Sequence, residues 1–145
     1  IDIIAEELGS IDSSNEELYL KNAEAYKQKL DALDEKIRES LDNVQNNTII
    51  VYHPAFGYFA DDYGLEMLAL EEEGKEATAK SLQEKIDKAR REGIKYIFYQ
   101  AEMDGRQAKT FAEELGGSAE LLEPLSPDYI ENLEKTAQIF SSTLE

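Results

Sequence analysis

From Thr48 onward the chain alternates short β-branched or aromatic runs with amphipathic helical stretches, and no other feature limits its fold as tightly. The strand candidates are Thr48–Tyr52, Glu66–Leu70, Lys95–Tyr99 and Ser118–Leu122. Between them lie a short segment at Pro54–Asp62 and a helix over Thr78–Glu92, with Leu82, Ile86 and Ala89 on one face and Gly93 as its stop. A further helix is expected over Gly105–Leu115, with Asp104 as cap, Gln107 as box partner and Gly116-Gly117 as stop. The last helix is expected to open at Ser126-Pro127, a cap followed by proline at the first helical position. It carries Ile130, Leu133, Ala137, Phe140 and Leu144 on one face. Strands alternating with helices indicate a parallel sheet covered on both sides. The expected fold class is therefore α/β, a four-stranded parallel sheet flanked by helices.

A long helix precedes that region. Ser13 and Ser14 each have a glutamate three residues on (Glu16, Glu17), the signature of a capping box. Apolar residues then recur at Tyr19, Ala23, Tyr26, Leu30, Leu33, Ile37, Leu41 and Val44. The spacing predicts a helix of about 30 residues, roughly 45 Å long, whereas a small domain spans about 30 Å. A helical hairpin or coiled-coil arm is one reading. The other is a strut packed against two lobes. Upstream, Ile1, Ile4 and Leu8 stand at helical spacing, with Gly9 as the expected stop. A chain that starts inside a helical pattern, without an initiator Met or a signal peptide, reads as a fragment or a processed product. The expected division is 1–12 as the end of an amino-terminal lobe, 13–45 as the linking helix and 46–145 as a carboxyl-terminal α/β lobe.

Composition removes several functions. With 32 acidic against 15 basic residues the net charge is −17, which argues against nucleic acid as a partner. The absence of cysteine excludes a disulfide, a thiolate nucleophile and a cysteine-type zinc site. No apolar run approaches the roughly 18 residues that a membrane span requires. There is no glycine-rich phosphate loop and no Gly-x-Ser-x-Gly elbow. A metal-dependent hydrolase would lack its nucleophile and most of its ligands.

What remains is one imidazole. His53, the single histidine, follows the apolar run Thr48–Tyr52 and opens the aromatic-rich stretch His53–Tyr63. Ligands of open α/β sheets bind at strand carboxyl ends. A histidine there can bind a metal, move a proton or hydrogen-bond to its loop. The same edge is expected to display Glu71–Glu73, Gln100, Glu102 and Glu123, and an imidazole with carboxylates is a donor set that zinc accepts. Four-coordinate zinc needs more than one histidine and one carboxylate. The run Glu71–Glu73 is expected to be a solvated charged surface. Tyr52, Phe56, Tyr58, Phe59 and Tyr63 are expected to close the core beside the rim.

The stretch His53-Pro-Ala-Phe-Gly-Tyr-Phe-Ala-Asp-Asp-Tyr-Gly-Leu-Glu66 resembles the motif of the metal-specific (zinc and manganese) solute-binding proteins of ABC importers. The likeness extends through Leu70–Glu76, Tyr96–Gln100, Glu123–Leu125 and Asp128–Leu133, and Asn22–Leu33 is similar to that family's linking helix. Alanine stands at position 77 where relatives commonly have proline. The resemblance implies two lobes joined by one rigid helix, with the metal in the cleft between them and two further histidines supplied by the amino-terminal half. By that resemblance His53 is the carboxyl-terminal lobe's metal ligand. Glu123 falls near a fourth-ligand position, usually Asp, and either completes or flanks the site. Histidine rather than glutamate at position 53 favours zinc over manganese. The implied function is capture of zinc outside the cytoplasm for an ABC permease and ATPase, without catalysis. The implied anchor is a lipid outside this chain. A surface adhesin or antigen module on the same fold is the alternative.

Overall fold

The computed structural model describes residues 1–72, 75–76 and 78–144. Its elements are α1 (Asp2–Ile11), a 3₁₀ turn (Ser13–Asn15), α2 (Glu16–Leu41), β1 (Thr48–Val51), α3 (Gly57–Asp62), β2 (Glu66–Ala69), β3 (Glu71–Glu72) and β4 (Lys75–Glu76). They continue with α4 (Ala79–Glu92), β5 (Tyr96–Gln100), α5 (Arg106–Leu115), β6 (Ser118–Leu122) and α6 (Tyr129–Thr143). The four expected strands form one all-parallel sheet in the order β2-β1-β5-β6, and β3 and β4 form a small antiparallel hairpin.

Alternation of side chains along the strands divides the core into two layers. Ile49, Val51, Phe98 and Leu122 face α2, α3 and α6, where Leu33, Ile37, Leu41, Ala60, Ala137 and Phe140 meet them. Ile50 and Ile97 face α4 and α5, against Ala89, Ala108 and Ala112. β1 is buried along its whole length, the expected state of a central strand covered on both faces. The order also sets a switch point. The connection leaving β1 passes through α3 on one face, whereas the one leaving β5 passes through α5 on the other. The two neighbouring strands therefore part company at their carboxyl ends, which leaves a crevice between them.

Several local expectations are corrected. Gly9 does not stop α1, which runs on to Ile11. Gly9 is instead buried where α1 meets the start of α2, and a Cβ there would stand 2.8 Å from Glu16 Cγ. The Ser13/Ser14 capping box does not form, because both serines lie in the 3₁₀ turn. The Asp12 carboxylate braces the turn instead, accepting from Asn15 Nδ2 at 2.7 Å and from the Tyr19 hydroxyl at 2.9 Å. The long helix is real, with 26 residues in α2. Its second half packs on α6 and its first half on α1. α5 begins at Arg106, and Asp104 does cap its start: Oδ1 accepts from the Arg106 backbone N–H at 3.1 Å while Oδ2 accepts from Arg106 Nε at 2.7 Å. The expected box partner Gln107 instead accepts from the Tyr52 hydroxyl. α6 begins at Tyr129, not Pro127: Ser126 N–H and Asn132 Nδ2 both donate to the Glu123 carbonyl, which holds Pro127 in the preceding turn. Thr78 caps α4 by accepting from Ser81 N–H, and Gly93 and Gly116 end α4 and α5 in the left-handed conformation that glycine adopts freely.

Candidate metal centre

The rim of the sheet is built by register. β1 pairs with β2 through Val51 opposite Ala69, and with β5 through Val51 opposite Phe98. Carried two residues further, that register puts His53 level with Glu71 on one side and Gln100 on the other. The ladder does continue beyond the strands: Leu70 N–H donates to the Val51 carbonyl and Glu71 N–H to the Tyr52 carbonyl, each at 2.9 Å. Tyr52 N–H donates to the Phe98 carbonyl at 2.8 Å. His53 therefore stands beside the crevice between β1 and β5.

The loop that follows is pinned from below. Ala55 N–H donates to the His53 carbonyl at 2.8 Å, closing a tight turn at Pro54. Phe56 is buried and meets Phe140 edge-on, with ring centres 6.1 Å apart. Phe59 and Tyr63 pack on the same cluster, and Tyr52 packs on the opposite face. Tyr58, expected in that aromatic closure, points outward and is 91% exposed. α3 is a helix of only six residues, so its Phe59 and Ala60 face inward while Tyr58 occupies the other side.

His53 Nδ1 forms a short contact with Glu71 Oε2. The imidazole side chain is 38% exposed and that of Glu71 only 14%. Glu71 is thus no solvated charge, contrary to the reading of Glu71–Glu73 as an open acidic surface. Glu73 itself lies outside the described residues. The signal was present in the chain. His53 lies five residues after the start of β1 and Glu71 five after the start of β2, so parallel pairing that begins Thr48 opposite Glu66 brings the two level. Gln100 closes the other flank, and its Nε2 is a buried side-chain nitrogen without a hydrogen-bond partner.

Glu123 follows β6, two strands from β1, hence about 10 Å away at the usual strand spacing. Its side chain is half exposed and its Oε2 lies 3.4 Å from Lys135 Nζ on α6. The structure therefore brings Glu71 to His53 and leaves Glu123 paired elsewhere on the rim. Among the described residues, no group of three histidine, aspartate or glutamate side chains stands together to hold a metal. His53 contributes one nitrogen of the kind zinc accepts, and Glu123 one carboxylate on the same edge.

Known proteins match this sequence and fold. The family model described as zinc-uptake complex component A, periplasmic (ZnuA), matches residues 1–143. The zinc-binding lipoprotein AdcA of Streptococcus pneumoniae is 28% identical over 157 aligned positions, which cover 100% of this chain and 31% of AdcA. A crystal structure of ZnuA superposes with a TM-score of 0.94 at 32% identity, covering 98% of this chain and 56% of that one. The laminin-binding protein Lmb of Streptococcus agalactiae, described as bifunctional with adhesin and metal-transporting activity, superposes with a TM-score of 0.89 at 27% identity. It is covered over 98% of this chain and 58% of its own. The chain thus spans about a third of the length of AdcA and little more than half of the solved chains. An α/β sheet at this similarity, over nearly every residue, leaves one assignment: the chain belongs to the ZnuA family of periplasmic zinc-uptake components.

Proposed function

We propose that this chain is the linking helix and carboxyl-terminal half of an extracytoplasmic receptor that captures zinc and presents it to an ABC permease and ATPase. The observation that carries the reading is His53. It is the chain's one imidazole, it stands at the topological switch point, its Nδ1 is engaged by Glu71, and its ring is open to the rim. In this reading Nε2 ligates the ion, and Glu123 leaves Lys135 to complete or flank the site. Imidazole favours zinc over manganese, which prefers an all-oxygen set. The receptor binds and releases its cargo without transforming it, as fits relatives described as zinc-binding and zinc-uptake proteins.

In the same reading, 1–12 is the end of an amino-terminal lobe, 13–45 the linking helix and 46–145 the carboxyl-terminal lobe. Ile3 and Ile11 on α1 are 74% and 81% exposed, and Leu18 and Leu20 on α2 are exposed beside them. Exposed large apolar side chains at this end of the chain suit a region that a further lobe would cover. Residues from that lobe would supply the missing ligands. A lipid anchor outside this chain would hold the receptor at the membrane surface.

Calorimetric titration with zinc tests the proposal. This chain should bind weakly, a two-lobe protein tightly, and His53→Ala should abolish the first and weaken the second at least tenfold. Tight one-to-one binding by this chain, unchanged in His53→Ala, would sink the ligand assignment. The likeness to Lmb supports a second reading, an adhesin on the same fold. Binding to immobilised laminin that persists after chelation of zinc would favour it.

A further inference from the structure

We propose that Glu71 is a positioning residue that fixes His53 as the tautomer whose Nε2 receives a borderline divalent cation. The inference rests on the reading of His53 as that cation's ligand.

A neutral imidazole carries one N–H and one lone pair, and which nitrogen bears the proton decides which can bind a metal. The carboxylate of Glu71 only accepts. Facing Nδ1, it requires the hydrogen there and leaves the lone pair on Nε2. The placement of Glu71 is over-determined. Its backbone N–H donates to the Tyr52 carbonyl, and the residue before it donates to the Val51 carbonyl. On its other side β3 pairs with β4, with Glu71 opposite Glu76. Backbone ladders on both edges therefore hold the carboxylate level with the ring.

Burial points the same way. A carboxylate shielded to 14% exposure is costly unless it is hydrogen-bonded, and His53 Nδ1 meets it. The opposite choice, Nδ1 as the metal-binding nitrogen, would break that bond and leave the shielded carboxylate without it. Loss of a carboxylate partner behind a ligating histidine typically costs about 10- to 100-fold in metal affinity.

The test uses the single histidine, whose ring signals need no assignment against others. Long-range ¹⁵N–¹H spectra of the neutral ring in the metal-free chain should show a protonated Nδ1 and a pyridine-type Nε2. Glu71→Gln retains an accepting oxygen and should keep that tautomer, whereas Glu71→Ala should shift the ring toward Nε2–H. Circular dichroism of both variants establishes that they fold. Added zinc should move the Nε2 resonance, and Glu71→Ala should weaken that response about 10- to 100-fold, with Glu71→Gln in between. An Nε2–H ring in the wild type, or a tautomer indifferent to Glu71→Ala, overturns the positioning role. So does zinc taking the place of the hydrogen on Nδ1. A correct tautomer with a ring that zinc leaves unmoved overturns instead the reading of His53 as ligand.

Discussion

Replacing Phe140 by alanine probes the link between the core and the rim. Phe140 is fully buried on α6 and lies edge-on to Phe98 at 4.8 Å between ring centres and to Phe56 at 6.1 Å, with Phe59 tilted against it at 5.6 Å. It thus joins α6, β5 and the loop that follows His53. Truncating a buried phenylalanine costs about 3–5 kcal/mol through lost transfer energy and the cavity left behind. Each aromatic contact adds about 0.5–1.5 kcal/mol beyond area. Three such contacts put Phe140→Ala at the upper end, about 4–5 kcal/mol. A chain of this size loses about 2–4 °C in Tm per kcal/mol, so the melting point should fall by roughly 8–20 °C. Urea unfolding followed by circular dichroism measures the difference. Phe140→Leu, which keeps most of the volume, should lose less than half as much. A double-mutant cycle with Phe56→Leu should show a coupling of about 1 kcal/mol, because the two rings touch. A loss below about 1.5 kcal/mol for Phe140→Ala, or strict additivity with Phe56→Leu, would refute the claim that this cluster holds the His53 loop.

Three more outcomes follow from the same structure. A Cβ at Gly117 would lie 1.7 Å from the Lys95 carbonyl oxygen, so Gly117→Ala must displace backbone at the start of β5 and β6. We expect a loss of about 2–4 kcal/mol, within the range of strained core substitutions, read by thermal melting. Burial, and then the bond it donates to Asp34 at 2.9 Å, push the Tyr63 phenol up to about 12. The folded state thus holds this proton more tightly than the unfolded chain, whose phenol titrates near 10. The resulting stability, about 1–2 kcal/mol after allowance for solvent screening, is present below that pH and is lost as pH rises toward the folded value. Tyr63→Phe should flatten the alkaline arm of a stability-versus-pH curve, and an unchanged arm would contradict the assignment. Finally, the exposed Lys135–Glu123 pair should contribute under about 0.5 kcal/mol, so Lys135→Met should leave urea stability unchanged while freeing Glu123 for the ion. A large loss of stability would mean that Glu123 is structurally committed.

Much of this was legible in the chain, for identifiable reasons. Ile49, Ile50 and Val51 form an unbroken apolar run, and only a strand buried on both faces needs one, so β1 reads as central. Residue 53 then falls at a strand end, which is all that singles it out without the resemblance. Cap assignments failed where a side chain had a stronger customer. Gln107 pairs with Tyr52, and the Glu123 carbonyl draws Asn132 and Ser126 into a turn that displaces Pro127. Three consecutive glutamates read as solvent surface, and only the pairing of β2 with β1 brings Glu71 beside His53. Strand order, which puts Glu123 two strands from His53, depends on long-range packing that no local pattern encodes.

The central claim, that His53 is the ligand this chain contributes to zinc, is tested most directly by X-ray absorption at the zinc edge of the zinc-loaded chain. With one histidine present, imidazole scattering around a Zn–N distance of about 2.0–2.1 Å has one possible origin. The account predicts that signature in the wild type and its loss in His53→Ala. A zinc shell made of oxygen alone in the wild type, identical in the variant, would contradict it.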